Sequence, residues 1–198
     1  MEQALDRRIR RTKGQLCEAL IELLGRQELR DIKVSELCKR ADIGRGTFYL
    51  HYKDIGDFYR QVENTLFAQL QTILETYFPQ GSRPILDEGI EAIFRFLAEN
   101  ADVCAAILSQ RESTLVERIL TCWKPQEDAA WEALLGPIPP CEREETYTFI
   151  TQGAVGIIRG WYTGGMKKSP AAMARTLNRL IGRCSALTEP ASPSGGAD

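Results

Sequence analysis

The sequence predicts an all-α protein: an N-terminal module of three helices built around a helix-turn-helix, followed by a larger helical body. Three observations predict it. Apolar residues recur at three- and four-residue steps along almost the whole chain, the period of one face of a helix. Residues 34–53, VSELCKRADIGRGTFYLHYK, read as two short helices joined by a turn of three residues. Glycine and proline cluster between the periodic segments, at 79–84, 136–140 and 164–165, where they end helices rather than interrupt them.

The first helix is expected over residues 3–25, with Ile9, Leu16, Ala19, Leu20, Leu23 and Leu24 on the side that packs over the helix-turn-helix. Val34, Leu37, Cys38 and Ala41 fall at i, i+3, i+4 and i+7 and give the second helix one apolar stripe. Lys33 precedes it and cannot accept a hydrogen bond from the first amides, so Ser35 is expected to cap a slightly later start. Asp42, Ile43 and Gly44 form the turn, with Gly44 taking backbone angles that residues with a Cβ resist. The third helix is expected over 45–51, where Phe48 and Tyr52, four apart, anchor it to the core beneath.

A fourth helix should start at Asp54, whose side chain caps the first turn while Asp57 favours the positive helix end, and run to about residue 78. After the 79–84 break, Leu86, Ile90, Ile93, Phe94 and Leu97 mark a core helix reaching residue 100. Shorter helices are expected at 102–109, 113–123 and 127–135, the second of them ended by Pro125. Residues 136–140 form a rigid linker into a long helix over 142–163, stopped by Gly164 and Gly165. Ser169 caps the last helix, with Pro170 in its first turn.

The third helix carries groups suited to a nucleic-acid surface. Arg45 can pair with a guanine edge or a phosphate, Gly46 lets backbone approach the sugar-phosphate wall, and Thr47 offers a hydroxyl and a methyl to base edges. Tyr49, His51 and Lys53 suit phosphate oxygens, and Ser35 on the preceding helix joins them as an expected DNA contact. Arg7, Arg8, Arg10, Arg11 and Lys13 add five basic residues within seven positions, a cluster suited to the DNA backbone. Residues 1–53 hold 12 Lys and Arg against 8 Asp and Glu, a net +4, whereas the remainder holds 13 against 19, a net −6. The whole-chain charge of −2 therefore does not exclude a nucleic-acid partner for the basic end.

Arg45-Gly46-Thr47-Phe48-Tyr49-Leu50-His51-Tyr52 resembles the recognition-helix signature of the TetR family of bacterial transcriptional regulators. The resemblance covers roughly residues 7–67. The order of helices beyond it is similar to that of the family's ligand-binding and dimerisation domain, and residues 149–173 resemble a subgroup with a Gly-Trp-Tyr helix before a last helix started by Ser-Pro. Two positions depart from the pattern. Lys33 stands where the family commonly has a capping serine or threonine, and Ile55 where it often has a phosphate-reaching lysine, which shifts the phosphate grip toward Lys53 and the N-terminal arm.

The resemblance implies a DNA-binding domain at 1–53, a helical effector-binding and dimerisation domain at 54–188, and a tail at 189–198 whose composition predicts disorder. It implies a homodimeric repressor that a small-molecule effector releases from a double-stranded DNA operator. Gly153, Gly156 and Gly160 share a helix face open to close approach by another helix, flanked by Ile157 and Trp161. The last helix carries a stripe of Met173, Leu177, Leu180, Cys184 and Leu187. The expected dimer interface is Gly153, Gly156, Gly160, Leu177, Leu180 and Cys184, which would set two reading heads about one DNA turn apart; the alternative is that these stripes pack within one chain. An effector pocket is expected from Phe67, Phe94, Leu97, Trp123, Trp131, Phe149 and Ile157, with an apolar or aromatic effector preferred because few charges interrupt these faces.

The 198 residues, 43% of them apolar, can support two structural units. No run of about 18 apolar residues and no basic-then-apolar leader occurs, so a cytoplasmic protein without a membrane partner is expected. The six cysteines are widely spaced, none at C-x-x-C distance, beside a single histidine, which argues against a metal site; buried packing is expected for most of them. Cys141, beside Pro139 and Pro140, is the expected exception. No phosphate loop, nucleophile elbow or acid-base pair stands out, so neither catalysis nor a cofactor is expected. The alternatives are a small-molecule carrier or enzyme on the same helical body, and a redox switch at Cys141.

Overall fold

The computed structural model describes residues 2–79, 86–110, 113–124, 132 and 139–186. Its helices are α1 (Glu2–Leu24), α2 (Val34–Arg40), α3 (Arg45–Tyr49), α4 (Ile55–Tyr77), α5 (Leu86–Glu99), α6 (Ala101–Ser109), α7 (Leu115–Trp123), α8 (Arg143–Thr163) and α9 (Pro170–Ala186). Short 3-10 turns occupy Leu29–Asp31 and Pro140–Glu142. The chain is all-α, with no strand among the described residues. The helix expected over 127–135, Trp131, Leu187, the 189–198 tail and the side chains of Arg7, Arg8, Trp123 and Cys184 lie outside the described residues.

Two compact units emerge: Met1–Gln69 with Asn100–Val116, and Leu70–Glu99 with Glu117–Asp198. This division does not follow the 53/54 boundary read from the sequence. The first unit also takes in α4 as far as Gln69 and all of α6, which packs against α1.

In the first unit Leu16, Ala19, Leu20, Leu23 and Leu24 of α1 are buried, while Ile9 is half-buried. Leu37, Cys38 and Ala41 bury the α2 stripe, and α2 begins at Val34 with Lys33 at its N-cap and no side-chain hydrogen bond there. Ser35 is therefore inside the first turn and caps nothing, contrary to expectation. The 3-10 turn at Leu29–Asp31, which no sequence period announces, holds the approach to α2; the Leu29 amide donates to Gln110 Oε1 at 3.2 Å.

The turn after α2 closes as a Schellman motif. The Ile43 amide donates to the Cys38 carbonyl (2.9 Å) and the Asp42 amide to that of Lys39 (3.4 Å). Its left-handed residue is Asp42, at φ 54°, rather than Gly44, which sits at φ −65°, ψ 138°. Aspartate tolerates that conformation because its short polar side chain can bond locally.

α4 starts as its sequence suggests. Asp54 Oδ1 accepts from the Asp57 amide at 2.7 Å, and Asp57 Oδ2 accepts from the Lys53 amide at 2.9 Å. Eight residues along α4, Glu63 is 3% exposed, the one buried charged side chain among the described residues. Its Oε1 accepts from Ser113 Oγ (2.8 Å), the Thr114 amide (3.0 Å) and the Leu115 amide (3.2 Å), and its Oε2 from Thr114 Oγ1 (3.2 Å). A carboxylate from α4 thus caps the start of α7, satisfying orphan amides at the positive end of the helix.

In the second unit α9 lies along α5 and buries Met173, Ala174 and Leu177. Phe94 of α5 is fully buried and meets Trp161 of α8 edge-on at 5.4 Å between centroids. Tyr162 Oη donates to the Leu97 carbonyl (2.8 Å), Tyr147 Oη to that of Leu120 (2.9 Å) and Trp161 Nε1 to that of Lys168 (2.9 Å). Burial, with Glu144 adding to it, pushes the Tyr147 phenol up to about 12. α8 ends in a second Schellman motif with Gly165 at φ 75°, and Ser169 Oγ accepts from the Ala172 amide at 3.3 Å to start α9.

Gly89 marks the tightest approach in this unit: a Cβ there would lie 2.4 Å from a Phe78 ring carbon and 2.8 Å from Tyr77 Cβ. Gly89→Ala is expected to cost about 1–3 kcal/mol by overpacking, despite the better helix propensity of alanine. The urea midpoint reads this, and a stabilised variant would contradict it. No helix among the described residues is long and apolar enough to cross a membrane.

Candidate nucleic-acid interface

A helix of five residues does not hold its shape alone in water. α3 is held by three rings beneath it: Phe48 lies 5.3 Å from Tyr52 and 6.1 Å from Phe58, and Tyr52 lies 4.6 Å from Phe58. All three are buried, so the assignment of Phe48 and Tyr52 to packing agrees with their placement. With that face spent on anchoring, the opposite face is open. Arg45, Gly46 and Thr47 are exposed, Tyr49 is 57% exposed and Leu50 80%. Open space lies where a Gly46 side chain would begin.

Lys53 is exposed just past α3, and His51 is half-buried with its ring 6.1 Å from that of Tyr52. Ser35 is exposed on α2. Arg10, Arg11 and Lys13 are exposed on α1. The structure thus puts the expected DNA contacts of α3 on one small exposed element and leaves His51 partly withdrawn from solvent.

Leu50 was missed. A leucine two positions from each of Phe48 and Tyr52 must point away from the face they bury, a signal present in the sequence.

Electrostatics around α3 follow from burial and local hydrogen bonds. The Lys53 amide, first among the causes, holds the Asp57 carboxyl below its ordinary range. Burial pushes the Cys38 thiol up, with Arg45 opposing it. The Tyr52 phenol is pushed up by burial and then by Cys17 and Asp57. Cys104 is buried like Cys38 and Cys17 is half-buried, whereas Cys122 is exposed along with Cys141, so Cys141 is not the lone surface thiol the sequence suggested.

Among the expected pocket residues, Phe94 and Leu97 are buried in the second unit, Ile157 is half-buried there, and Phe67 is half-buried in the first. Phe149 is 69% exposed and lines no interior, because α8 turns Tyr147 and Trp161 inward instead. Of the expected interface residues, Gly153, Gly156 and Gly160 are exposed with open space above each, and Leu180 is 40% exposed. Leu177 is buried within its own chain, since α9 spends that part of its stripe on α5.

Residues 86–183 match a TetR-type family model described as transcriptional regulator C-terminal region. An uncharacterized HTH-type transcriptional regulator of Haemophilus influenzae is 28% identical over 102 residues, 50% of this chain and 54% of that protein. The chain thus spans about half the length of that curated relative. Among solved structures, a TetR transcriptional regulator from Streptococcus agalactiae superposes with a TM-score of 0.61 at 20% identity, covering 91% of this chain and 99% of that one. The fatty acid degradation regulator FadR from Bacillus halodurans gives 0.62 at 14% identity, covering 86% and 94%. FadR from Bacillus subtilis, in complex with stearoyl-CoA, gives 0.56 at 16% identity, covering 84% and 96%. At these identities the structural likeness establishes the fold.

Proposed function

The chain belongs to the TetR family of transcriptional regulators, and we propose that it is a homodimeric, sequence-specific DNA-binding repressor released from its operator by a small-molecule effector. The observation that carries the DNA reading is the division of α3 into a buried aromatic face and an exposed face of Arg45, Gly46, Thr47, Tyr49 and Leu50. In this reading Thr47 meets base edges and Leu50 a thymine methyl, while Arg45, Tyr49, His51, Lys53 and Ser35 contact bases or phosphates. Residues 1–53 do the reading and 54–188 receive the effector and the second copy.

Support for a dimer comes from the open glycine face of α8 and from the exposed Phe149 of α8 and Leu180 of α9, apolar surface that water disfavours and a second copy would cover. A monomeric mass in light scattering at micromolar concentration would remove it. The effector is an apolar or aromatic molecule that prefers a dimer with another spacing between its recognition helices and so lowers operator affinity. FadR of Bacillus subtilis binds an acyl-CoA, which makes that class a reasonable first probe.

Fluorescence anisotropy with DNA from upstream of the gene tests the DNA reading. Thr47→Ala and Tyr49→Ala should each weaken binding by about tenfold or more, since a good base or phosphate contact contributes roughly 1–3 kcal/mol. Both positions are exposed, so folding should change by less than about 0.5 kcal/mol. Binding should fall steeply with added salt. Equal affinity of both variants and wild type, or no preference over random DNA, would overturn the reading.

A further inference from the structure

We propose that the groove between α1, α4 and α6 in the first unit is a binding site for a small amphipathic organic anion. The cavity measures about 530 Å³, within the range of small-molecule pockets, and every residue that lines it belongs to that unit. Its lining is graded. Tyr52, Phe58 and Leu66 form a buried apolar floor, and Val62 and Val103 are half-buried on its walls.

Above them the rim is polar and exposed, with the Gln61 amide, the Thr65 hydroxyl and the Lys13 ammonium among its groups. Among the described residues Lys13 is the one charged group in the lining, and none of them brings a carboxylate to face it there. Glu18 acts on the neighbouring Cys17 electrostatically but does not line the groove.

These features select the ligand. The floor offers apolar area to a ring or a short branched body, and the flexible stem of Lys13 carries a point charge able to follow a carboxylate or sulfonate at the mouth. A cation would meet repulsion, and a neutral molecule of the same shape would forgo the ion pair. Because α1 and α4 both flank the anchor of α3, occupancy would bear on the recognition helix. That consequence rests on the DNA reading, whereas the site itself does not.

The test uses the full chain with carbon-13-labelled valine methyls and no DNA, titrated with anilinonaphthalene sulfonate and, separately, with neutral phenylnaphthylamine. The sulfonate is expected to shift the Val62 and Val103 methyls in a saturable way with one ligand per chain, and the neutral analogue to bind about three- to fivefold more weakly. Lys13→Gln should abolish that difference. Thr65→Glu, on an exposed rim position that folding tolerates, should weaken the sulfonate further by placing a like charge at the mouth. Unmoved Val62 and Val103 methyls, or equal sulfonate affinity in wild type, Lys13→Gln and Thr65→Glu, would overturn the proposal. Since no DNA is present, that failure would leave the operator reading standing, and loss of operator binding would leave this site standing.

Discussion

Phe48→Ala is expected to destabilise the first unit by about 3–5 kcal/mol, the usual cost of truncating a fully buried phenylalanine where the surroundings cannot collapse. The ring touches Tyr52 from its own segment and Phe58 from α4, so its removal leaves a cavity between two elements rather than at an edge. A domain rarely holds more than 5–15 kcal/mol in total, and the loss should show as a large fall in the urea midpoint with little change in slope.

The consequence for α3 goes beyond stability. Five residues have no helix of their own to fall back on, and without Phe48 the exposed face that carries Thr47 and Tyr49 loses its fixed orientation. DNA affinity should therefore drop more than in either Thr47→Ala or Tyr49→Ala, although Phe48 touches no DNA in the proposed reading. Phe48→Leu should lose only about 1–1.5 kcal/mol and retain most of the affinity. A Phe48→Ala loss below about 1 kcal/mol would mean that the ring is not the anchor.

What the sequence discloses about this molecule is what lies close together in it. The Phe48 and Tyr52 pair, the Asp54 cap and the Ser169 cap each involve residues within four positions, and each was readable from spacing and side-chain chemistry alone. Asp42 was not, because glycine and aspartate compete for the left-handed position in one turn and the closer glycine to α3 was the natural choice. Stripes were legible but their partners were not. Leu177 and Leu180 belong to one periodic pattern, yet α5 covers the first and leaves the second exposed.

The DNA candidates shared a single short helix and could be named together, whereas the α1–α4–α6 groove draws on residues from 13 to 103 and left no local mark. Glu63 is an intermediate case. It falls on the Tyr59, Leu66, Leu70, Leu74 stripe of α4, where a charge is out of place, but its partners lie 50 to 52 residues away.

That misplaced charge carries the second large expectation: Glu63→Ala should destabilise the protein by about 3 kcal/mol. The carboxylate accepts four hydrogen bonds while almost fully buried. Removing it strands the Thr114 amide, an orphan costing about 1–3 kcal/mol, and leaves the Leu115 amide only its longer bond to Ser113 Oγ (3.4 Å), while the hydroxyls of Ser113 and Thr114 recover only part of the loss by turning to other acceptors. It also removes the negative charge at the positive end of α7. Glu63→Gln keeps the shape and one acceptor oxygen but turns an NH₂ toward donors, so it should fall between wild type and alanine.

Two measurements separate this from a generic core defect. Amide exchange should accelerate selectively in Glu63→Ala, most at Thr114, which loses its acceptor, and less at Leu115, which keeps Ser113 Oγ. Ser113→Ala combined with Glu63→Ala should cost less than the two changes summed, because both remove the same bond. If Glu63→Ala costs under about 0.5 kcal/mol, or if the Thr114 and Leu115 amides exchange as in wild type, α7 draws its start from something other than α4. If both expectations hold, a single carboxylate joins the start of α7 to the helix that begins six residues after the last residue of α3, and any ligand that moves the start of α7 acts on α4 through it.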